Sequence, residues 1–123
     1  MNNPGHDTCE VVAVACIDFR IQEHVRKWLN ETVGAGNYDM VCQAGSVKET
    51  SEALKQIAVS VRLHHSKKAI LIQHEDCGAY GAEGSRQRLA QDAAHAAEEI
   101  RKSFPGLEVQ SYFCRLDGTV EPA

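Results

Sequence analysis

The amino-acid sequence predicts an α/β fold, with a mainly parallel central sheet flanked by helices. Its length of 123 residues, 43% hydrophobic and 24% charged, suits one globular domain spanning residues 1–123. Short apolar runs alternate with longer segments of helical periodicity, in the order β-α-β-α-β-α-β. This alternation is typical of parallel strands joined by helical crossovers.

The first half of the chain predicts two strands and two helices. Residues 10–16 (EVVAVAC) are short, β-branched and almost continuously apolar, as expected for a strand covered on both faces. Residues 20–31 carry apolar side chains at helical spacing, and VGAGN then breaks the helix. A second strand is predicted over 38–45, and an amphipathic helix over 48–65.

The second half predicts the third strand over 68–73 (KAILIQ), an alanine-rich helix over 85–104 and a fourth strand over 107–116, whose direction stays open. Right-handed crossovers permit the strand order 2-1-3-4. That order would bring the ends of the first and third strands together at the edge where parallel sheets bind ligands.

Composition and charge argue against several classes of partner. The net charge is −4, and lysines and arginines form no stripe, so nucleic acid is not expected as a partner. The longest apolar run, VVAVAC, is too short to span a bilayer, and the first ten residues lack the order of a signal peptide. We therefore expect a cytoplasmic protein without membrane attachment.

Five cysteines are scattered along the chain without a C-x-x-C pair. An odd, irregularly spaced set does not resemble a disulfide framework, and in a reducing compartment such cysteines are buried, metal-binding or catalytic. Cys9 and Cys114 are expected to be structural. Cys42, at the end of the second predicted strand, is expected to be a buried pocket wall.

Two segments that follow predicted strands concentrate metal-binding chemistry. CIDFR supplies Cys16, Asp18 and Arg20 after the first strand, and HEDC supplies His74 and Cys77 after the third. Two thiolates and one imidazole suit zinc, with three protein ligands and one open position. Asp18 could fill the fourth position, or stay behind it in an ion pair with Arg20.

These segments resemble the signature of the β-class carbonic anhydrases, which is Cys-x-Asp-x-Arg after one strand and His-x-x-Cys-Gly after another. The QAG at 43–45 is similar to the Asn-Ala-Gly strand end of that family. The resemblance implies zinc on Cys16, His74 and Cys77. It also implies Asp18 and Arg20 as the catalytic dyad.

The activity implied by the resemblance is reversible hydration of carbon dioxide to bicarbonate through a zinc-bound hydroxide, in a homodimer or higher homo-oligomer. The chain departs from the family at Phe19, where a small residue is usual, and at Cys42–Gln43, where Arg-Asn is usual. Phe19, Gln43 and Gly45 are the expected substrate contacts. The helical arm of the family is expected to be missing, because the first strand begins by about Glu10.

Three other functions stay open at this point. The same metal site could hydrolyse carbonyl sulfide or carbon disulfide, a change that Phe19, Cys42 and Gln43 could signal. A non-catalytic zinc protein would have Asp18 closing the site. A thiol redox protein using Cys16 and Cys77 is a weaker reading.

Four further polar residues attract attention less strongly. Glu75 and Asp76 are more typical of acids that are solvated or bonded to loop amides. His64 and His65 end a predicted helix, where histidine is favourable to the helix dipole.

Overall fold

The computed structural model of the protein describes residues 7–123, and within this range five strands form one sheet of spatial order β2-β1-β3-β4-β5. The strands are β1 (Val11–Ala15), β2 (Tyr38–Cys42), β3 (Lys68–His74), β4 (Glu108–Cys114) and β5 (Val120–Pro122). Strands β1 to β4 are parallel, and β5 pairs antiparallel with β4. The α/β fold and the order 2-1-3-4 are confirmed, and β5 is an addition.

Three α-helices connect the strands: α1 (Gln22–Leu29), α2 (Thr50–His64) and α3 (Arg86–Ser103). A π-helical turn at Asn30–Gly34 continues α1, and a short 3₁₀ turn lies at Gly81–Glu83. The α3 helix begins where Ser85 accepts a hydrogen bond from the backbone of Arg88. Within residues 7–123, none of the helices combines the length and hydrophobicity that crossing a membrane requires.

Side chains of β1 and β3 alternate between two hydrophobic cores, because successive residues of a strand face opposite sides of the sheet. One core packs α1 against the sheet and contains Val11, Ala13, Ala15, Ile70, Ile72, Val25 and Leu29. The other packs α2 and α3 and contains Val12, Val14, Ala69, Leu71, Ile57, Ala96 and Ile100. Covering both faces explains why these two strands are continuously apolar.

The pairing of β1 with β3 decides where the polar strand ends lie. Val14 is in register with Leu71, so the carboxyl ends of both strands reach the same edge of the sheet. Cys16 follows the last residue of β1, and His74 is the last residue of β3. The strand order therefore brings the two motifs together, as the chemistry required.

Candidate metal centre

Cys16, His74 and Cys77 meet at the carboxyl edge of the sheet, and we call them the His74 site. Their ligand atoms all lie within 4.8 Å of one another, and all three residues are buried. The Sγ atoms of Cys16 and Cys77 are 3.9 Å apart. Two sulfurs bound to one tetrahedral zinc ion would be about 3.8 Å apart. The spacing of the thiols therefore fits a zinc ion.

The His74 imidazole is oriented for a metal. Its Nδ1 lies 2.7 Å from the carbonyl oxygen of Glu75, which assigns the ring proton to Nδ1 and the lone pair to Nε2. Nε2 is buried and has no hydrogen-bond partner within residues 7–123. An unsatisfied buried nitrogen is unfavourable by about 1–3 kcal/mol. A zinc ion between the imidazole and the thiols would remove this deficit, so the residues fit the metal.

The environment of Cys16 favours its thiolate. Burial raises the pKa of the thiol, but the facing His74 side chain and the backbone amide of Gly45 outweigh it, lowering that pKa from 9.0 to about 7. The Gly45 N–H donates to Cys16 Sγ at 3.4 Å. Burial instead raises the pKa of Cys77. Metals bind thiolates, so Cys16, which loses its proton at lower pH than Cys77, is the more easily formed of the two sulfur ligands.

Asp18 lies beside the His74 site but is engaged by Arg20. The guanidinium donates from Nε to Oδ1 at 3.1 Å and from Nη2 to Oδ2 at 2.8 Å, which is a bidentate pair. These hydrogen bonds, opposed by partial burial, lower the pKa of Asp18 to about 2. Asp18 Oδ2 is 3.8 Å from His74 Nε2. The carboxylate is thus ionised and adjacent to the cluster while paired with Arg20.

Arg20 also joins the loop after β1 to the loop after β3. Its Nη2 donates to the Asp76 carbonyl oxygen at 2.8 Å, and its Nη1 donates to the Asp76 carboxylate at 3.1 Å. The Asp76 side chain is 77% exposed, in line with the expectation that it is solvated, and its carboxylate also binds the Arg20 guanidinium. Glu75 does bond a backbone amide, that of Leu116, at 2.9 Å.

Phe19 lies at the mouth of a cavity of about 380 Å³ that opens next to the His74 site. Its side chain is 86% exposed. Most of the cavity wall is apolar; the lining residues are Cys16, Ile17, Asp18, Phe19, Ala44, Gly78 and Ala79. A small apolar molecule would fit here, within reach of Asp18.

Gln43 and Gly45, the other two expected substrate contacts, shape the loop after β2. Gln43 Nε2 donates to the carbonyl oxygens of Ser46, at 2.7 Å, and Glu49, at 3.3 Å. Gly45 has φ of +78°, and a Cβ there would lie 2.9 Å from the Cβ of Lys48. Neither residue lines the cavity at Phe19. Gly45 reaches the site through its amide, which bonds Cys16.

Gln22 supports the site and was missed by sequence reasoning. At the first residue of α1, its Nε2 donates to the carbonyl oxygens of Cys16, at 2.8 Å, and Asp18, at 2.9 Å. A glutamine outside the motif carries no sequence signal for this role.

Cys42, which faces Gln22, is exposed, so the expectation of a buried pocket wall is wrong. Its strand, β2, is an outermost strand of the sheet and has a neighbouring strand on one side only.

Comparison with known proteins gives consistent matches. A family model described as "Putative carbonic anhydrase" matches residues 6–123. An uncharacterized protein of Rickettsia conorii is 28% identical, over 88% of this chain and 68% of its own length.

Two solved structures share the fold. A carbonic anhydrase from Streptococcus mutans has a TM-score of 0.72 at 15% identity, covering 99% of this chain and 86% of that one. The apo form of a carbon disulfide hydrolase has a TM-score of 0.66 at 13% identity, covering 94% and 79%.

Proposed function

The chain belongs to the carbonic anhydrase family whose model matches residues 6–123, and we propose that it is a zinc enzyme that reversibly hydrates carbon dioxide to bicarbonate. The observation that carries this proposal is the buried His74 site, whose Nε2 lacks a partner within residues 7–123, beside an ionised carboxylate. That combination supplies a metal position and a group able to orient a reacting water.

Cys16, His74 and Cys77 would hold the metal through two thiolates and one imidazole. Zinc bound there would act as a Lewis acid that lowers the pKa of water towards about 7 and so supplies a nucleophile near neutral pH. The Glu75 carbonyl, by accepting from Nδ1, fixes the His74 tautomer that presents Nε2. Three protein ligands leave the position that a catalytic zinc site needs for water.

Asp18 would accept a hydrogen bond from the reacting water and so orient its lone pair toward the substrate. Arg20 serves as a positioning residue, because its bidentate pair keeps the Asp18 carboxylate ionised and in place. Carbon dioxide, which is small and carries no net charge, would occupy the apolar cavity between Ile17, Phe19 and Ala44. Bicarbonate is charged, so the same apolar wall would favour its release.

The test is stopped-flow carbon dioxide hydration by protein whose zinc content has been measured, from mildly acidic to mildly alkaline pH. We expect turnover that rises with pH as water is deprotonated, and that depends on stoichiometric zinc. The Cys42→Ser variant is the matched control, since it changes an exposed thiol that is not a ligand of the His74 site and keeps a hydroxyl donor for Gln22. Zinc-loaded protein without turnover would overturn the proposal.

Hydrolysis of carbon disulfide or carbonyl sulfide is the second candidate. It is favoured by Phe19, which lines the cavity at a position where family members usually have a small residue, and its chemistry needs the same activated water. Sulfide release from carbon disulfide by the same zinc-loaded preparation measures this activity. The faster of the two reactions identifies the substrate class.

The two remaining alternatives are less well supported. In a non-catalytic zinc protein Asp18 would close the metal site, whereas both of its carboxylate oxygens are bonded to Arg20. A thiol redox protein would use Cys16 and Cys77, whose sulfurs are 3.9 Å apart. Stoichiometric zinc in protein purified under reducing conditions would exclude the redox function.

We also propose that the chain forms a homodimer that covers the mouth of the cavity. Ile17 and Phe19 are 59% and 86% exposed there, which is unusual for large apolar side chains. A second copy of the chain packed on them would wall the substrate position. Light scattering should give a dimer mass that falls for Phe19→Ser, and a monomer mass for the native protein would contradict this.

A further inference from the structure

A second cluster of metal-binding side chains lies at the opposite edge of the sheet. It consists of Cys9, Asp39 and His64, and we call it the His64 cluster. Their ligand atoms all lie within 4.8 Å of one another, and each residue is half-buried. Cys9 precedes β1, Asp39 is the second residue of β2, and His64 is the last residue of α2. The amino ends of two strands and the end of a helix thus converge here.

We propose that the His64 cluster is a second metal site, with three protein ligands for a divalent ion of the zinc class, such as Zn²⁺ or Co²⁺. Thiolate, imidazole and carboxylate are all established zinc ligands, and this mixed donor set favours such ions over Mg²⁺ or Ca²⁺. The proposal is independent of the function assigned to the His74 site.

The cluster is organised by the backbone and by two buried serines. The Cys9 N–H donates to the His64 carbonyl oxygen at 3.0 Å, which fixes the segment before β1 against the end of α2. Ser60 donates to Asp39 Oδ2 at 2.6 Å, and Ser66 lies 2.6 Å from Ser60. Cys9 Sγ is 3.6 Å from Ser66 Oγ. The ligands are therefore held near one another before an ion binds.

A short hydrogen bond already joins His64 to Asp39 where an ion would bind. His64 Nδ1 is 2.6 Å from Asp39 Oδ2. Burial raises the pKa of Asp39, but hydrogen bonds from Ser60 and His64 lower it overall, so the carboxylate is charged. A divalent ion would take the place of the proton in this hydrogen bond, and that proton would move from Nδ1 to Nε2 of His64. The Cys9 thiol would release its proton to solvent. One thiolate and one carboxylate then balance the charge of the ion.

The same geometry predicts a weaker site than the His74 site. Ligands on a tetrahedral zinc ion are about 3.3 Å apart when both are nitrogen or oxygen, so His64 and Asp39 must separate by about 0.7 Å. They must also give up a short hydrogen bond. The half-exposed position of His64 at the end of a helix allows this movement. The ion would bind here after the first site is filled.

The two sites can be titrated separately because β1 lies between them. Cys9 and Cys16 are seven residues apart along an extended segment, on the order of 20 Å. Untagged, reduced protein stripped of metal with a chelator is titrated with Co²⁺, and the thiolate-to-cobalt charge-transfer band is followed. We expect two equivalents for the native chain. One weaker equivalent should remain in the Cys77→Ser/His74→Ala background, where the first site is disabled.

Variants of the His64 cluster in that background decide the matter. Cys9→Ser should abolish the remaining charge-transfer band, and Asp39→Asn and His64→Gln should each weaken Co²⁺ binding at least tenfold. Cys42→Ser, which removes an exposed thiol elsewhere, should leave the band intact. Circular dichroism of each apo variant identifies any that fails to fold, and the other two variants then carry the test.

Two results would contradict the proposal that the His64 cluster is a second metal site. One is a native chain that takes up a single equivalent of Co²⁺, which would make the His64 cluster a hydrogen-bonded support only. The other is a charge-transfer band that survives Cys9→Ser in the disabled background. Failure of carbon dioxide hydration would not affect either measurement, because neither depends on turnover.

Discussion

The two edges of the sheet hold cysteine–histidine clusters of contrasting character. In the His74 site the imidazole Nε2 is buried without a partner among residues 7–123, and the nearby carboxylate is bonded to an arginine. In the His64 cluster the imidazole already bonds Asp39, and Ser60 bonds the same carboxylate. A cluster with unmet bonding capacity gains most from a metal, whereas a cluster that is already hydrogen-bonded stabilises the fold before any ion binds. We therefore expect the first to control turnover and the second to control stability.

The largest effect should follow removal of a ligand from the His74 site. In Cys77→Ser or His74→Ala we expect the zinc of the His74 site to be lost and turnover to fall to the uncatalysed rate, because two ligands hold zinc poorly. Metal analysis by mass spectrometry and stopped-flow hydration measure both. Cys42→Ser should retain zinc and turnover. A zinc content in Cys77→Ser equal to that of the native protein would show that the His74 site does not need Cys77 to hold zinc. That result would contradict the contrast drawn between the two clusters.

The next effect concerns Asp18 and Arg20. Arg20→Ala and Asp18→Ala should each lower turnover by about 10²-fold, the scale for losing a positioned catalytic group. Zinc should remain, because the ligands remain. The double variant should be little worse than either single one, since residues that act as a unit are not additive. Native turnover in zinc-loaded Asp18→Ala would remove the pair from the mechanism.

Gly45→Ala should sharpen the comparison by straining the carboxyl edge alone. Gly45 and Gly36 both have φ of +78°, but a Cβ at Gly45 would lie 2.9 Å from the Cβ of Lys48, while nothing lies within 4 Å at Gly36. We expect Gly45→Ala to lower the free energy of unfolding by about 1–3 kcal/mol more than Gly36→Ala, the range typical of overpacking. Urea denaturation of both variants measures the difference, and equal losses would exclude the clash.

The smallest effect is expected at the amino edge, in Ser60→Ala. This change removes the hydrogen bond from Ser60 to Asp39 at a buried position, which should lower the free energy of unfolding by about 1–2 kcal/mol. Turnover should not change, because the His74 site is untouched. Ser51→Ala, at an exposed position of the same helix, is the matched control. A loss of turnover in Ser60→Ala would show that the two edges are coupled.

Much of the fold and the His74 site could be predicted from the sequence, for a physical reason. Strands covered on both faces must be apolar throughout, so β1 and β3 are recognisable in the sequence as short apolar runs. The polar residues that follow them lie at the carboxyl ends of parallel strands, where ligands bind. The resemblance to the β-class carbonic anhydrases then implies Cys16, His74 and Cys77 as the metal ligands, and that role stays a prediction. Their convergence is confirmed by the geometry.

The features that could not be predicted depend on contacts outside the motifs. Asp76 reaches Arg20 from a left-handed backbone conformation, with φ of +56°, which a non-glycine residue seldom adopts. Cys42 is exposed because β2 is an edge strand, which periodicity does not reveal. The approach of Cys9 to His64 depends on how the end of α2 packs against the start of β1. Cys9 was expected to be only structural for this reason.

The order of the strands has a consequence for the kinetics of folding. Cys16 and Cys77 are 61 positions apart, and between them lie α1, β2, α2 and β3. The chain must order most of this segment before both thiols can face one ion. Closing so long a loop costs conformational entropy. Zinc should therefore bind after the transition state, and slow unfolding while leaving the refolding rate nearly unchanged. Stopped-flow refolding and unfolding with and without the metal would show this asymmetry.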